Sequence, residues 1–192
     1  PDDWIEQEHR LHQYKLNAVR AFARENRIDR IIIESKTPKL GVITTGKSYL
    51  DVRQALEDLG IDEVKADKLG LRLYKVGMPW PLEPVGIKEF SQGLKEILVV
   101  EEKRPIIESQ LKEHLYNLPS NERPSVVGKF DEKGHVLQPA AGELSPSQIA
   151  RVIASRLLKL IEDKAIQEKL KLMDDKEKSL IKPETDFART PF

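Results

Sequence analysis

Residues Leu40 to Leu56, LGVITTGKSYLDVRQAL, run apolar, break at a small polar turn around Gly46 and resume at helical spacing. The same order returns in ILVVEEKRPIIESQL, Ile97 to Leu111. A strand that passes directly into a helix, twice, commits a chain to a parallel sheet with its turns on one edge. That edge is where α/β proteins keep function. The expected fold is a three-layer α/β/α arrangement with a mostly parallel sheet, carrying helical extensions at both ends.

Composition limits what such a chain can do. Its 192 residues, 39% hydrophobic and 33% charged, suffice for one sizeable core and a peripheral extension. Lys+Arg and Asp+Glu both number 32, so no global charge favours nucleic acid or an acidic membrane surface. There is no cysteine, which removes disulfides, a thiolate nucleophile and cysteine-held zinc or iron–sulfur clusters. No apolar run reaches membrane-spanning length, and Pro1-Asp2-Asp3-Trp4 carries no basic and apolar leader. The expectation is a soluble, cytoplasmic protein cut from something longer.

Periodicity places the elements. Asp3 to Asn26 reads as a helix leaning on the core, with Ile5, Leu11, Ala18, Val19, Phe22 and Ala23 as its apolar face. Arg30 to Ser35 and Leu40 to Thr44 read as strands. A helix from Ser48 to Leu59 counts Leu50, Ala55, Leu56 and Leu59 as inward candidates and stops at Gly60. A brief helical turn over Glu63 to Lys68 precedes a strand at Leu71 to Val76, and the two prolines of Gly77 to Leu82 enforce a structured loop. Val85 to Leu94 is helical, Ile97 to Glu101 is a strand buried on both faces, and Pro105 opens a helix reaching Tyr116. Ser125 to Leu137 suggests two short strands turning at Asp131-Glu132-Lys133-Gly134. Ser145-Pro146-Ser147-Gln148 combines an N-cap, a first-turn proline and a capping-box glutamine, opening a helix to Ile161. Ala165 to Leu180 is a charged helix, and Ile181 to Phe192 an irregular tail. The expected units are an arm (1–29), an α/β domain (30–162) and a charged helix with linker (163–192).

The candidate chemistry gathers at the two strand-to-helix turns. Thr44, Thr45, Gly46, Lys47 and Ser48 offer a glycine turn, a helix N-terminus and a cation, which together suit an anion. Residues 41–48 even match G-x-x-x-x-G-K-[ST], but Val42-Ile43-Thr44 reads as the strand itself and leaves no loop for phosphate. An independent phosphate- or nucleotide-binding module on these residues is the alternative function. Glu101, Glu102, Lys103 and Arg104 end a buried strand. A carboxylate there is either a general acid or base, or part of an ion-paired strand end whose acidic pair lies near the N-terminus of the next helix, and the second reading is preferred. Met78 and Trp80 either dock a neighbour or cap the local core. His9, His12, His114 and His135 lack metal-ligand spacing. No catalytic, cofactor or metal residue is assigned.

Three segments carry a resemblance: LGVITTGKSYLDVRQALEDLG (Leu40 to Gly60), LRLYKVGMPWPLEP (Leu71 to Pro84) and ILVVEEKRPIIESQLKEHLYN (Ile97 to Asn117). They are similar to the central domain of indolepyruvate ferredoxin oxidoreductases, thiamine-diphosphate-dependent 2-oxoacid:ferredoxin oxidoreductases. The resemblance implies a transketolase C-terminal-like fold over roughly residues 30 to 160. Ala188-Arg189-Thr190-Pro191-Phe192 resembles the lead-in to that family's thiamine-diphosphate domain. By resemblance, a parent enzyme oxidatively decarboxylates a 2-oxoacid to an acyl-CoA and passes electrons to ferredoxin, using thiamine diphosphate, magnesium and iron–sulfur clusters held elsewhere. This chain then contributes scaffold, interdomain contacts and part of a wall around substrate or coenzyme A, without nucleic acid or membrane partners and compatibly with a homo-oligomer.

Overall fold

The computed structural model of the chain describes residues 3–180, so the expected tail at 181–192 lies outside the described residues. A helical arm comes first: α1 (Trp4–Arg10), one π-helical turn (Leu11–Lys15) and α2 (Leu16–Glu25). The sheet and its helices follow as β1 (Arg30–Ile33), β2 (Leu40–Thr45), α3 (Gly46–Asp58), α4 (Glu63–Leu69), β3 (Leu71–Val76), α5 (Pro84–Ser91), β4 (Glu96–Val100), α6 (Ile106–Leu115), β5 (Ser125–Val127), α7 (Pro146–Leu160) and α8 (Lys164–Leu180).

The strands lie in the order β1-β3-β2-β4-β5. β1 is antiparallel to β3 at one margin, and every other neighbouring pair is parallel. Alternation divides the interior into two cores. Val42, Leu71, Leu73, Leu98 and Val100 face α3, α4 and α7, whereas Ile43, Tyr74, Val76, Ile97 and Val99 face α5 and α6. This is the three-layer α/β/α arrangement expected from the repeated passage. Strands buried on both faces need apolar side chains at every position, which is why ILVV shows no alternation in sequence. Gly41 belongs to this packing: a Cβ there would lie 2.5 Å from Leu94 Cδ1 and 2.7 Å from Phe90 Cζ.

The helix ends follow local chemistry. Gly60 and Gly70 take positive φ just past α3 and α4, and Asp62 caps α4 by accepting the Lys65 N–H. Ser145 and Gln148 form the expected capping box on α7. The inward face of α3 is Ser48, Val52, Ala55 and Leu56, with Leu59 at its C-cap. Leu50, expected to point inward, is 66% exposed because it lies off that i, i+4, i+7, i+8 row.

The expected hairpin at 125–137 is cut down to its turn and one antiparallel bridge. Ser125–Val127 instead extends the sheet in parallel beside β4, and the return segment keeps a single bridge, Phe130 with Val136. Side chains redirect it: Gln138 Nε2 donates to the carbonyls of Val99 and Gly128, and the buried Lys129 points its ammonium at the Glu101 carbonyl. The turn itself is where the sequence puts it, with Asp131 accepting the N–H groups of Lys133 and His135. Glu132 in that turn accepts from Arg156 at 2.9 Å and Lys159 at 2.6 Å, and the buried Arg156 also pairs with Glu96 at the start of β4. Among the described residues no helix is long and apolar enough to cross a membrane.

Candidate functional site

All the parallel strands end on one edge, and two of the turns leaving it diverge. After β2 the chain departs toward the α3 face, and after the adjacent β4 it departs toward the α6 face. The opening between them is a topological switch point, the place where open α/β sheets admit ligands or neighbours.

The structure brings the two sequence-predicted turns together there. Lys47 Nζ lies 2.9 Å from Asp51, 3.5 Å from Glu102 and 4.0 Å from Glu143, so its charge is shared among carboxylates. That contact holds the Lys47 ammonium above its ordinary pKa, the hydrogen bond to Asp51 being the largest cause. Gly46 sits at φ 55 with open space around its missing side chain. Thr45 Oγ1 donates to the Val76 carbonyl across to β3, Ser48 is buried on the inward face of α3, and Thr44 Oγ1 is buried without a hydrogen-bond partner. The phosphate-loop alternative is overturned. Residues 41–44 pair with β3 and β4 on both sides and Thr45 with β3, which leaves no loop to wrap an anion, and Lys47 is already surrounded by acids.

Glu101 turns inward from the end of β4 and accepts the N–H groups of Ile106, Ile107 and Glu108 at 2.9–3.0 Å. These are the donors that the first turn of α6 leaves without intrahelical partners. Burial pushes the Glu101 carboxyl up, against the pull of the three N–H groups. Glu101 thus caps the helix through backbone N–H groups, whereas the preferred reading had it ion-paired at the strand end. Lys103, at φ 58, donates to the Gly142 carbonyl, and Arg104 projects into solvent.

Further residues complete the edge without any local sequence signal. Lys129 donates to the carbonyls of Glu101 and Pro139, and burial lowers its pKa. Glu108 accepts the Lys129 N–H and the Lys112 ammonium. Asp29 accepts the N–H groups of Gly77 and Met78, anchoring the loop after β3. Gln110 accepts the Leu82 N–H and donates to the carbonyls of Pro79 and Ile106, which ties that loop to the first turn of α6. Trp80 is thereby displayed: it is 60% exposed rather than capping the core, and Ile106 at the start of α6 is exposed as well. The edge thus combines a polar rim whose charges cap and pair within the fold with exposed apolar side chains at Trp80 and Ile106.

Residues 29–183 match the family described as the indolepyruvate ferredoxin oxidoreductase middle domain. The chain belongs to that family. Indolepyruvate oxidoreductase subunit IorA of Pyrococcus abyssi is 38% identical over 104 residues, covering 53% of this chain and 15% of that protein. The Pyrococcus horikoshii subunit is 44% identical over 75 residues, covering 38% and 10%. A solved 2-oxoglutarate:ferredoxin oxidoreductase from Magnetococcus marinus, with 2-oxoglutarate, coenzyme A and succinyl-CoA bound, superposes with a TM-score of 0.53 at 19% identity, over 79% of this chain and 23% of that one. At that identity the likeness is one of fold. The matched stretch spans 15% or less of the two curated relatives' length.

The middle domain's own donors do not fit an iron–sulfur cluster. No cysteine can hold an iron–sulfur cluster, and the buried acids of the edge are occupied, Glu101 by backbone amides and Glu108 by Lys112 and the Lys129 amide. Among the described residues no three His, Asp or Glu side chains converge as a metal site.

Proposed function

We propose that this middle domain is a non-catalytic scaffold in a multidomain 2-oxoacid:ferredoxin oxidoreductase, and that it meets its neighbours through the C-terminal edge of the sheet. In that reading the parent converts indolepyruvate to an acyl-CoA in the cytoplasm. Thiamine diphosphate, magnesium, iron–sulfur clusters, coenzyme A and ferredoxin are engaged by other parts of the assembly. Residues 1–29 act as an arm, 30–162 as the domain and 163–192 as the passage to the next one.

The observation that carries this reading is the division of labour along the edge. Its ionisable groups are spent on capping and pairing, so little is free to transfer protons. Trp80 and Ile106 instead stand out of the surface next to a rigid, hydrogen-bonded loop, as contact hot spots do. Thr44, Thr45, Gly46, Lys47, Ser48, Met78, Glu101, Glu102, Lys103 and Arg104 line or support this contact surface.

The isolated chain, supplied with thiamine diphosphate, magnesium, coenzyme A, indolepyruvate and an electron acceptor, is expected to release no carbon dioxide. Turnover by the chain alone would overturn the reading. In the full-length polypeptide, Trp80→Ala is expected to weaken interdomain docking while leaving the fold of this domain intact.

A further inference from the structure

The arm carries an apolar stripe only half of which is used. In sequence the face is broken, because Leu11 and Leu16 are five apart, out of step with an α-helix. The π turn repairs the step: the Leu16 N–H bonds the Leu11 carbonyl, an i to i+5 closure that lays both side chains on one line. Trp4, Leu11, Leu16, Val19 and Ala23 then follow at spacings of seven, five, three and four along a single stripe. Ala23 is buried, and Leu16 and Val19 are partly buried. Beyond them the stripe leaves the core, with Trp4 70% exposed and Ile5 and Leu11 also exposed.

Charge along the projecting half is ordered. Asp3, Glu6 and Glu8 occupy its beginning, and Arg10 and Lys15, with His9 and His12 between or beside them, its end. Every one of these side chains is exposed. Laid antiparallel, two such helices set the acidic turn of each beside the basic turn of the other and lay Trp4 of one copy over Leu11 of the second. A parallel arrangement would put like on like. The arrangement is self-complementary under a two-fold axis, as a closed homodimer requires.

We infer that α1 and the π turn form an antiparallel contact with the same segment of a second copy of this chain. With Trp4 of each copy over Leu11 of the other, the facing stretch is residues 4–11, about 12 Å at 1.5 Å per residue, with the rest of the π turn reaching past it, so the contact is a weak, concentration-dependent one rather than an obligate interface.

Sedimentation velocity of the full chain across a concentration series tests this. The dimer fraction should rise with concentration, fall with added salt, and vanish in the Trp4→Ala/Leu11→Ala variant. Glu6→Lys/Glu8→Lys should weaken self-association roughly tenfold, as should Arg10→Glu/Lys15→Glu, and mixing the two variants should restore association. Because these residues lie outside the cores, thermal melts of all three should match the parent chain. A chain monomeric at every concentration would overturn the inference. So would a dimer indifferent to these substitutions, or charge variants that fail to pair when mixed.

Discussion

At the end of β4 the Glu101 carboxylate takes three backbone N–H groups that the first turn of α6 would otherwise leave unpaired. Glu101→Ala should therefore destabilise the domain by about 2–3 kcal/mol in urea unfolding, the loss of a cap plus buried donors without partners. Gly128 is a second sensitive point, because a Cβ there would sit 2.6 Å from Glu108 Cδ, and Glu108 is held by the Lys129 amide and by Lys112. Gly128→Ala should cost about 1–3 kcal/mol by the same measurement, as overpacking of a site that cannot yield. Glu132 gives a pH signature. Lys159 and Arg156 hold its carboxyl down from 4.5 to about 2. A depressed acid in the folded state stabilises fully above its unfolded pKa and loses that contribution as pH falls through the folded one. Glu132→Gln should thus melt below the parent chain near neutral pH, and the gap should close as pH falls toward about 2.

Elements whose signals are local were legible. The capping box of α7 joins residues three apart, and α3 stops at Gly60 because a positive φ is cheap only there. The ILVV run stood out because a parallel strand buried on both faces tolerates no polar face, and Leu71–Val76 because LRLYKV alternates. The hairpin is shorter than expected, and the contacts at its base are non-local: Gln138 reaches back to Val99 and Lys129 to Glu101. The arm failed differently. Its face was read at constant helical period, whereas a single π turn shifts the register at Leu11–Lys15. Since α1 buries no side chain, deleting residues 1–15 should move the melting temperature by less than about 2 °C, whatever it does to association.

In the whole molecule, two strand-to-helix turns became the two sides of one switch point, and this much of the edge was legible from their repetition. What joins them was not. Lys47 meets Glu102 across 55 positions of sequence, and Gln110 links the Trp80 loop to α6, contacts that exist only once the sheet is assembled. The proposed scaffold role makes the edge a surface to be covered, and the position of Trp80 makes that testable. Hydrogen exchange of this chain alone, compared with the same residues within the full-length oxidoreductase polypeptide, addresses the central claim directly. The account predicts added protection at Gly77–Trp80, Gly46–Ser48 and Glu101–Ile106, with the strands unchanged. Equal exchange of those three turns in both forms would contradict it.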